Sequence, residues 1–133
     1  MGKIVRFTLA GLAGAMLLAS APAAMAARHG ADRGGVTATG SCSGASTWKV
    51  TASPENGRVE AQFEVDSNVV GQTWKVRMSD NGIFFFKGSA VTQGPSGSFE
   101  VRKLATDQAG SDLILGQAKN PATGETCEGS VTL

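Results

Sequence analysis

The chain has 133 residues, with 12 basic and 11 acidic side chains, 18 glycines and two cysteines. The near balance of charge predicts a surface of mixed sign and argues against a polyanion partner such as nucleic acid. Val, Thr and Phe in short alternating runs, without helical periodicity, predict one domain of the all-β class.

The first 26 residues have the features of a secretory signal peptide. Lys3 and Arg6 precede an apolar run over residues 7–19, and the small residues needed for cleavage stand at 24–26. Removing them leaves 107 residues, with 10 basic and 11 acidic side chains. No later apolar run reaches the roughly 18 residues of a membrane span. We therefore expect a secreted, extracellular protein without a membrane anchor.

Residues 27–40 are small, polar and glycine-rich, which predicts a flexible leader before a domain over residues 41–133. Alternation and turn residues predict seven strands in that domain, at 47–52, 58–66, 73–79, 83–86, 99–104, 112–118 and 125–133. In the sixth strand the buried face stays open between two sets, Leu113 with Leu115 or Ile114 with Gly116 and Ala118.

The hairpin joining strands 73–79 and 83–86 can adopt two registers. A two-residue Asn-Gly loop sets Phe85 opposite Met78. A three-residue loop sets Phe84 opposite Met78 and brings Phe86 opposite Val76. We predict the three-residue loop, because it places two phenylalanines in the core.

That register has a consequence for the outer face of the hairpin. It pairs Arg77 with Phe85, Ser79 with Ile83 and Lys75 with Lys87. Phe85 and Ile83 would then be apolar groups on an exposed edge, which attracts partners. The alternative is that a loop over residues 88–97 covers them. We therefore take Arg77, Ile83 and Phe85 as the candidate interaction surface.

Two tryptophans have two interpretations each. Trp48 and Trp74 lie on the apolar side of their alternating strands, which favours core packing. The alternative is a sugar-stacking platform of the kind that carbohydrate-binding modules use.

The order of features over residues 46–133 resembles the immunoglobulin-like or fibronectin type III-like sandwich. Trp74 stands in the third strand, "SGSFEVRKL" is similar to the strand before the last crossover, and "AKNPATGETC" leads into the last strand. The chain has no tyrosine, so it lacks the tyrosine corner of that plan. The whole chain also resembles small secreted actinobacterial sandwich proteins without assigned activity, through "GQTW" and "NPATGETC". These resemblances imply a single antiparallel seven-stranded immunoglobulin-like β-sandwich after a cleaved signal peptide.

Cys42 and Cys127 are expected to form one disulfide. The context is secretory, and the spacing matches neither a CxxC redox motif nor a zinc site. The bond would join the segment before the first predicted strand to the last strand, which are neighbours in immunoglobulin-like sandwiches.

The chain lacks the usual residue patterns of a catalytic site. The single histidine, His29, lies in the predicted leader, where it cannot hold the geometry of a general base. Glu60, Glu64 and Asp66 share the solvated face of one strand, where we expect them to pair with Lys or Arg of a neighbouring strand. Residues 107–112 lack the EF-hand ligand pattern. We expect no enzyme, no metal and no cofactor.

The remaining function classes are non-catalytic. We predict a secreted binding or interaction module whose partner is an extracellular protein, a cell-wall component or a small ligand. One alternative is a small-molecule carrier resembling neocarzinostatin-type proteins, which use two disulfides where this chain can make one. A third hypothesis, ranked lower, is an extracellular enzyme inhibitor, although small inhibitors of that kind carry more cysteines.

Overall fold

Two four-stranded antiparallel sheets make up the fold. The computed structural model describes residues 34–133, so the predicted signal peptide and His29 lie outside the described residues. No helix in this part of the chain could cross a membrane. The strands are β1 (Val36–Ser41), β2 (Thr47–Glu55), β3 (Arg58–Asp66), β4 (Thr73–Asp80), β5 (Ile83–Val91), β6 (Ser98–Thr106), β7 (Leu113–Lys119) and β8 (Thr126–Thr132).

The order of the strands is β1-β2-β3-β6 in the first sheet and β5-β4-β7-β8 in the second. The all-β prediction is confirmed, and the fold is consistent with a β-sandwich. The strand count is eight over residues 34–133 rather than seven. The additional strand, β1, includes residues 36–40 of the predicted leader and pairs with β2 from Val36–Ala52 to Ser41–Thr47. Its inward side chains are mostly small, which weakened the alternation signal.

The core lies between the inner faces of the two sheets. The alternation of β3 is confirmed, since Val59, Ala61, Phe63 and Val65 are all buried. In β7 the inward set is Ile114, Gly116 and Ala118. A Cβ atom at Gly116 would lie 2.6 Å from the Phe63 ring, so the phenylalanine occupies the space that this glycine leaves.

The predicted register of the β4–β5 hairpin is wrong. Asn81 and Gly82 form a two-residue loop with φ of 49° and 83°, the left-handed pair that a tight hairpin requires. The register then shifts at a β-bulge, so that Phe84 stands opposite Ser79 and Phe86 opposite Met78. The bulge absorbs Phe85. Phe85 and Phe86 are both half-buried against the core, whereas Phe84 is exposed.

The disulfide prediction is confirmed. Cys42 and Cys127 are bonded, and Cys127 is buried in β8. The bond joins the end of β1 in the first sheet to β8 in the second. Trp48 packs beside it against Gly40 and Gly129, where any Cβ atom would meet the indole ring. These contacts close the sandwich along its β1–β8 side.

Candidate ligand-binding face

The outer face of the second sheet carries a group of four basic side chains. In β4, Trp74, Val76 and Met78 point into the core, so Lys75 and Arg77 point outward. The register then sets basic partners beside both of them. Lys87 of β5 stands opposite Arg77, and Lys119 of β7 stands opposite Lys75. We call Lys75, Arg77, Lys87 and Lys119 the cationic face.

None of these four side chains forms an ion pair with another described residue. Within residues 34–133 the ion pairs are Lys49–Glu64, Arg102–Glu60 and Arg102–Glu100, all on the first sheet. Arg77 and Lys87 thus stand directly opposite each other on adjacent strands with no acidic partner, and so do Lys75 and Lys119. Such pairs are destabilising.

Phe84 lies among these charges. Lys87 Nζ is 4.6 Å from the centroid of its ring, and Arg77 Cζ is 5.4 Å from it. Both distances are within the range of a cation–π interaction, which contributes roughly 0.5–1 kcal/mol at an exposed site. The ring is 44% exposed. It restricts the positions of two cations that would otherwise be free to move apart.

An open groove of about 770 Å³ runs over this face, and all four members of the cationic face line it. Ser89 and Thr126 flank the row that contains Lys75 and Lys119, since each stands opposite one of the two lysines. Glu128 is the one acidic lining residue, and its carboxylate accepts a hydrogen bond from Gln117 Nε2 at 2.8 Å.

The opposite face of the sandwich has the opposite charge. The outward positions of the first sheet hold five acids and three bases: Glu55, Glu60, Glu64, Asp66 and Glu100 against Lys49, Arg58 and Arg102. The predicted mixture of signs therefore holds for the first sheet, while the near balance of the whole chain conceals the cationic face of the second. The argument from net charge against a polyanion partner does not apply to that face, and the absence of a nucleic-acid partner stays a prediction.

The three residues predicted as an interaction surface are distributed differently. Arg77 belongs to the cationic face, and Ile83 is 64% exposed at the hairpin end. Phe85 is half-buried against the core and does not stand beside Arg77. The Phe84 ring takes that place, because the two-residue loop sets Phe84 opposite Ser79 on the outer side of the hairpin. Lys87 and Lys119 were missed, since only the pairing of β4 with β5 and β7 brings them beside Arg77 and Lys75.

The other candidate groups have structural roles. Arg102 Nη1 lies 3.8 Å from Glu60 Oε1, and Lys49 Nζ lies 4.0 Å from Glu64 Oε2, as the pairing prediction expected. Asp66 forms no ion pair within residues 34–133 and instead accepts the Asn68 backbone N–H at 2.9 Å. Trp74 is fully buried, so it cannot be a sugar platform, and Trp48 is half-buried against the two glycines. No group of three or more potential ligand residues that could hold a metal ion occurs in the part of the chain that the structure describes.

A buried acidic pair lies at the end of the second sheet. Asp80 and Asp112 are 2% and 3% exposed, and neither carboxylate oxygen of Asp80 meets a hydrogen-bond donor among the described residues. Burial raises the pKa of Asp80 to about 6, helped by the neighbouring Asp112 carboxyl, which can accept the proton of neutral Asp80, and by the negative charges of Asp112 and Asp107. The Asp112 carboxylate accepts the Gln108 backbone N–H at 3.1 Å.

Comparisons with protein-family models, curated proteins and solved structures find no match to this chain.

Proposed function

We propose that this protein is a secreted, non-catalytic binding module that takes an anionic ligand on its cationic face. The observation that carries this proposal is the arrangement of Lys75, Arg77, Lys87 and Lys119 as two like-charged neighbouring pairs without ion-pair partners among residues 34–133. A bound anion would neutralise both pairs at once.

The energetics of the free protein support a ligand. Like charges directly opposite on adjacent strands destabilise a sheet by a few tenths of a kcal/mol or more. The first sheet has one like-charged pair, Glu64 opposite Glu100, but Lys49 lies 4.0 Å from Glu64 and Arg102 lies 3.3 Å from Glu100. The second sheet has two like-charged pairs on one groove, and neither has an ion-pair partner among residues 34–133, so a bound anion would supply the missing charge.

Secretion and an immunoglobulin-like origin belong to the same proposal. Residues 1–26 carry the signal-peptide features, and the disulfide is compatible with an extracellular protein. The order β5-β4-β7-β8, with Trp74 on a central strand, matches the C′-C-F-G sheet of the immunoglobulin plan. The first sheet differs from that plan at its edge, where β1 is added outside β2.

A cation-exchange column tests the proposal with an anionic matrix. Removing residues 1–26 leaves one more acidic than basic side chain, so net charge alone predicts no retention at pH 7.5. We expect retention at low salt and its loss in the double variant Arg77→Gln/Lys119→Gln. The matched control, Lys49→Gln/Arg58→Gln, removes the same charge from the other face and should bind as the unmodified protein does. Equal loss in the control, or no retention of the unmodified protein, would contradict the proposal.

A small-molecule carrier is the second candidate. The groove volume of about 770 Å³ is within the range of sites that hold drug-sized ligands, roughly 300–1,000 Å³. Native mass spectrometry of the protein purified from its host would distinguish the two functions. A stoichiometric small-molecule adduct would favour the carrier, and its absence the binding of a larger anionic partner.

A further inference from the structure

The cationic face contains two pairs of cations, each of which could hold one oxyanion, and the spacing of the pairs restricts the ligand. One position lies between Arg77 and Lys87, and the other between Lys75 and Lys119. The two pairs are two residues apart along β4 and displaced by one strand across the sheet. With about 3.4 Å per residue and about 4.8 Å between strands, their centres are about 8 Å apart. This inference rests on the proposed function, since it concerns the same face.

The first position is the more ordered of the two. The Phe84 ring contacts both cations, with Arg77 Cζ 5.4 Å and Lys87 Nζ 4.6 Å from its centroid. A guanidinium presents its N–H groups in a planar fork that matches a phosphate oxygen pair, and the ammonium adds a point charge. Because the ring already restricts both cations in the free protein, less side-chain entropy is lost when a ligand binds.

The second position has neutral donors beside its charges. Ser89 stands opposite Lys75, and Thr126 stands opposite Lys119, so hydroxyl groups flank the lysine pair on both sides. Hydroxyls can donate to the oxygens of a phosphate that the two ammonium groups neutralise. Both positions thus suit a tetrahedral oxyanion.

Glu128 gives the ligand a direction. It ends the row that runs from Lys87 through Arg77 and Gln117, and it would repel an anion that continued along that row. A chain of anionic groups is therefore directed diagonally, from the Arg77–Lys87 position to the Lys75–Lys119 position. A thread-like ligand fits this path better than a flat or globular one.

Base stacking has no platform on this face. Proteins that bind single-stranded nucleic acid stack bases on exposed aromatic rings. Phe84 is the one aromatic residue on the described outer face of the second sheet, and its ring already contacts Arg77 and Lys87. Trp74 is buried in the core, and Trp48 belongs to the first sheet, where its ring packs against Gly40 and Gly129. We propose that the ligand is a phosphodiester chain without bases, with successive phosphates in the two positions.

Titration calorimetry with three oligomers of equal charge tests this inference. The probes are oligo(glycerol phosphate), oligothymidylate and oligogalacturonate, which carry phosphates without bases, phosphates with bases and carboxylates. We expect oligo(glycerol phosphate) to bind at least as tightly as oligothymidylate and roughly ten times more tightly than oligogalacturonate. With two phosphates neutralised, affinity should fall roughly 7-fold between about 50 and about 200 mM salt.

Two outcomes would overturn the inference and leave the proposed function standing. Tighter binding of oligothymidylate would mean that bases are recognised, and equal binding of oligogalacturonate would mean that charge alone suffices. Failure of all three probes to bind would overturn the proposed function as well.

Single substitutions test the geometry of the two positions. Phe84→Leu keeps every charge, so it should weaken oligo(glycerol phosphate) binding several-fold without changing the salt dependence. The matched control is Leu104→Ala, which removes an exposed apolar side chain from the first sheet and should have no effect. Glu128→Gln should strengthen binding several-fold. Unchanged affinity in both Phe84→Leu and Glu128→Gln would contradict the proposed path.

Discussion

Phe84 holds Lys87 over its ring, with Nζ 4.6 Å from the ring centroid, while the next residue along the chain turns toward the core. This difference between neighbours arises from the two-residue loop, which sets Phe84 opposite Ser79 and turns the next residue inward. The bulge that follows brings Lys87 opposite Arg77, so that both cations of this part of the cationic face lie near the Phe84 ring.

The first prediction compares these two neighbours. Phe84→Ser should change the free energy of unfolding by less than about 1 kcal/mol, because the ring is 44% exposed. Phe85→Ser should cost about 1–3 kcal/mol, because it removes apolar surface packed against the core. Urea unfolding of both variants measures the difference. A larger cost for Phe84→Ser than for Phe85→Ser would contradict the register.

The second prediction concerns Asp80 and pH. Its pKa is raised from 3.8 to about 6, so the folded state binds the proton more tightly than the unfolded state does. The resulting stabilisation is complete below about pH 4 and is lost as the pH rises through about 6. Asp80→Asn should therefore raise stability at pH 7.5 by about 1–3 kcal/mol and flatten this part of the profile.

A control for the Asp80 experiment lies on the first sheet. Glu100→Gln changes an exposed acid and should keep the decrease in stability between pH 4 and pH 6. Thermal unfolding across this pH range gives both profiles. An unchanged profile in Asp80→Asn would show that this carboxyl group does not carry the dependence.

The third prediction concerns the glycine of β7. Gly116→Ala would place a methyl group 2.6 Å from the Phe63 ring, so we expect a loss of about 1–3 kcal/mol from overpacking. Gly94→Ala is the matched control, since its Cβ atom would meet Val70 at an ordinary 3.7 Å. Chemical denaturation measures the free energy of unfolding of both variants. Equal losses would mean that the Phe63 ring shifts to accommodate the new methyl group at little cost.

The fourth prediction concerns the disulfide. Cys42 and Cys127 are 85 positions apart, and the chain-entropy model assigns about 4–5 kcal/mol to closing a loop of that length. The double variant Cys42→Ala/Cys127→Ala should lose up to that amount in urea unfolding. A loss below about 1 kcal/mol would show that the β1–β8 side is held by Trp48 packing alone.

The parts of the fold that local pattern determines were predictable. The strict alternation of β3 identified its buried face, and the cysteine count in a secretory context identified the Cys42–Cys127 bond. β1 was not predicted, because Ala38 and Gly40 bury little apolar surface. The bulge was not predicted either, because an extra residue changes the strand register without changing the composition.

The candidate site could not be predicted because it depends on pairing between distant strands. Lys119 is an ordinary exposed lysine in the sequence, and it joins Lys75 only through the β4–β7 register. Net charge concealed the segregation as well, since the acids of the first sheet offset the bases of the second. A sum over the chain carries no information about which face holds each charge.

The most direct test of the central claim is a ¹⁵N heteronuclear correlation spectrum of the protein titrated with a short inorganic polyphosphate. We predict that the amide signals of Lys75, Arg77, Lys87 and Lys119 shift in a saturable, salt-sensitive manner. The signals of Lys49, Arg58 and Arg102, on the opposite face, should stay in place. Shifts of equal size on both faces, or no shifts at the first four residues, would contradict an anion-binding function for this face.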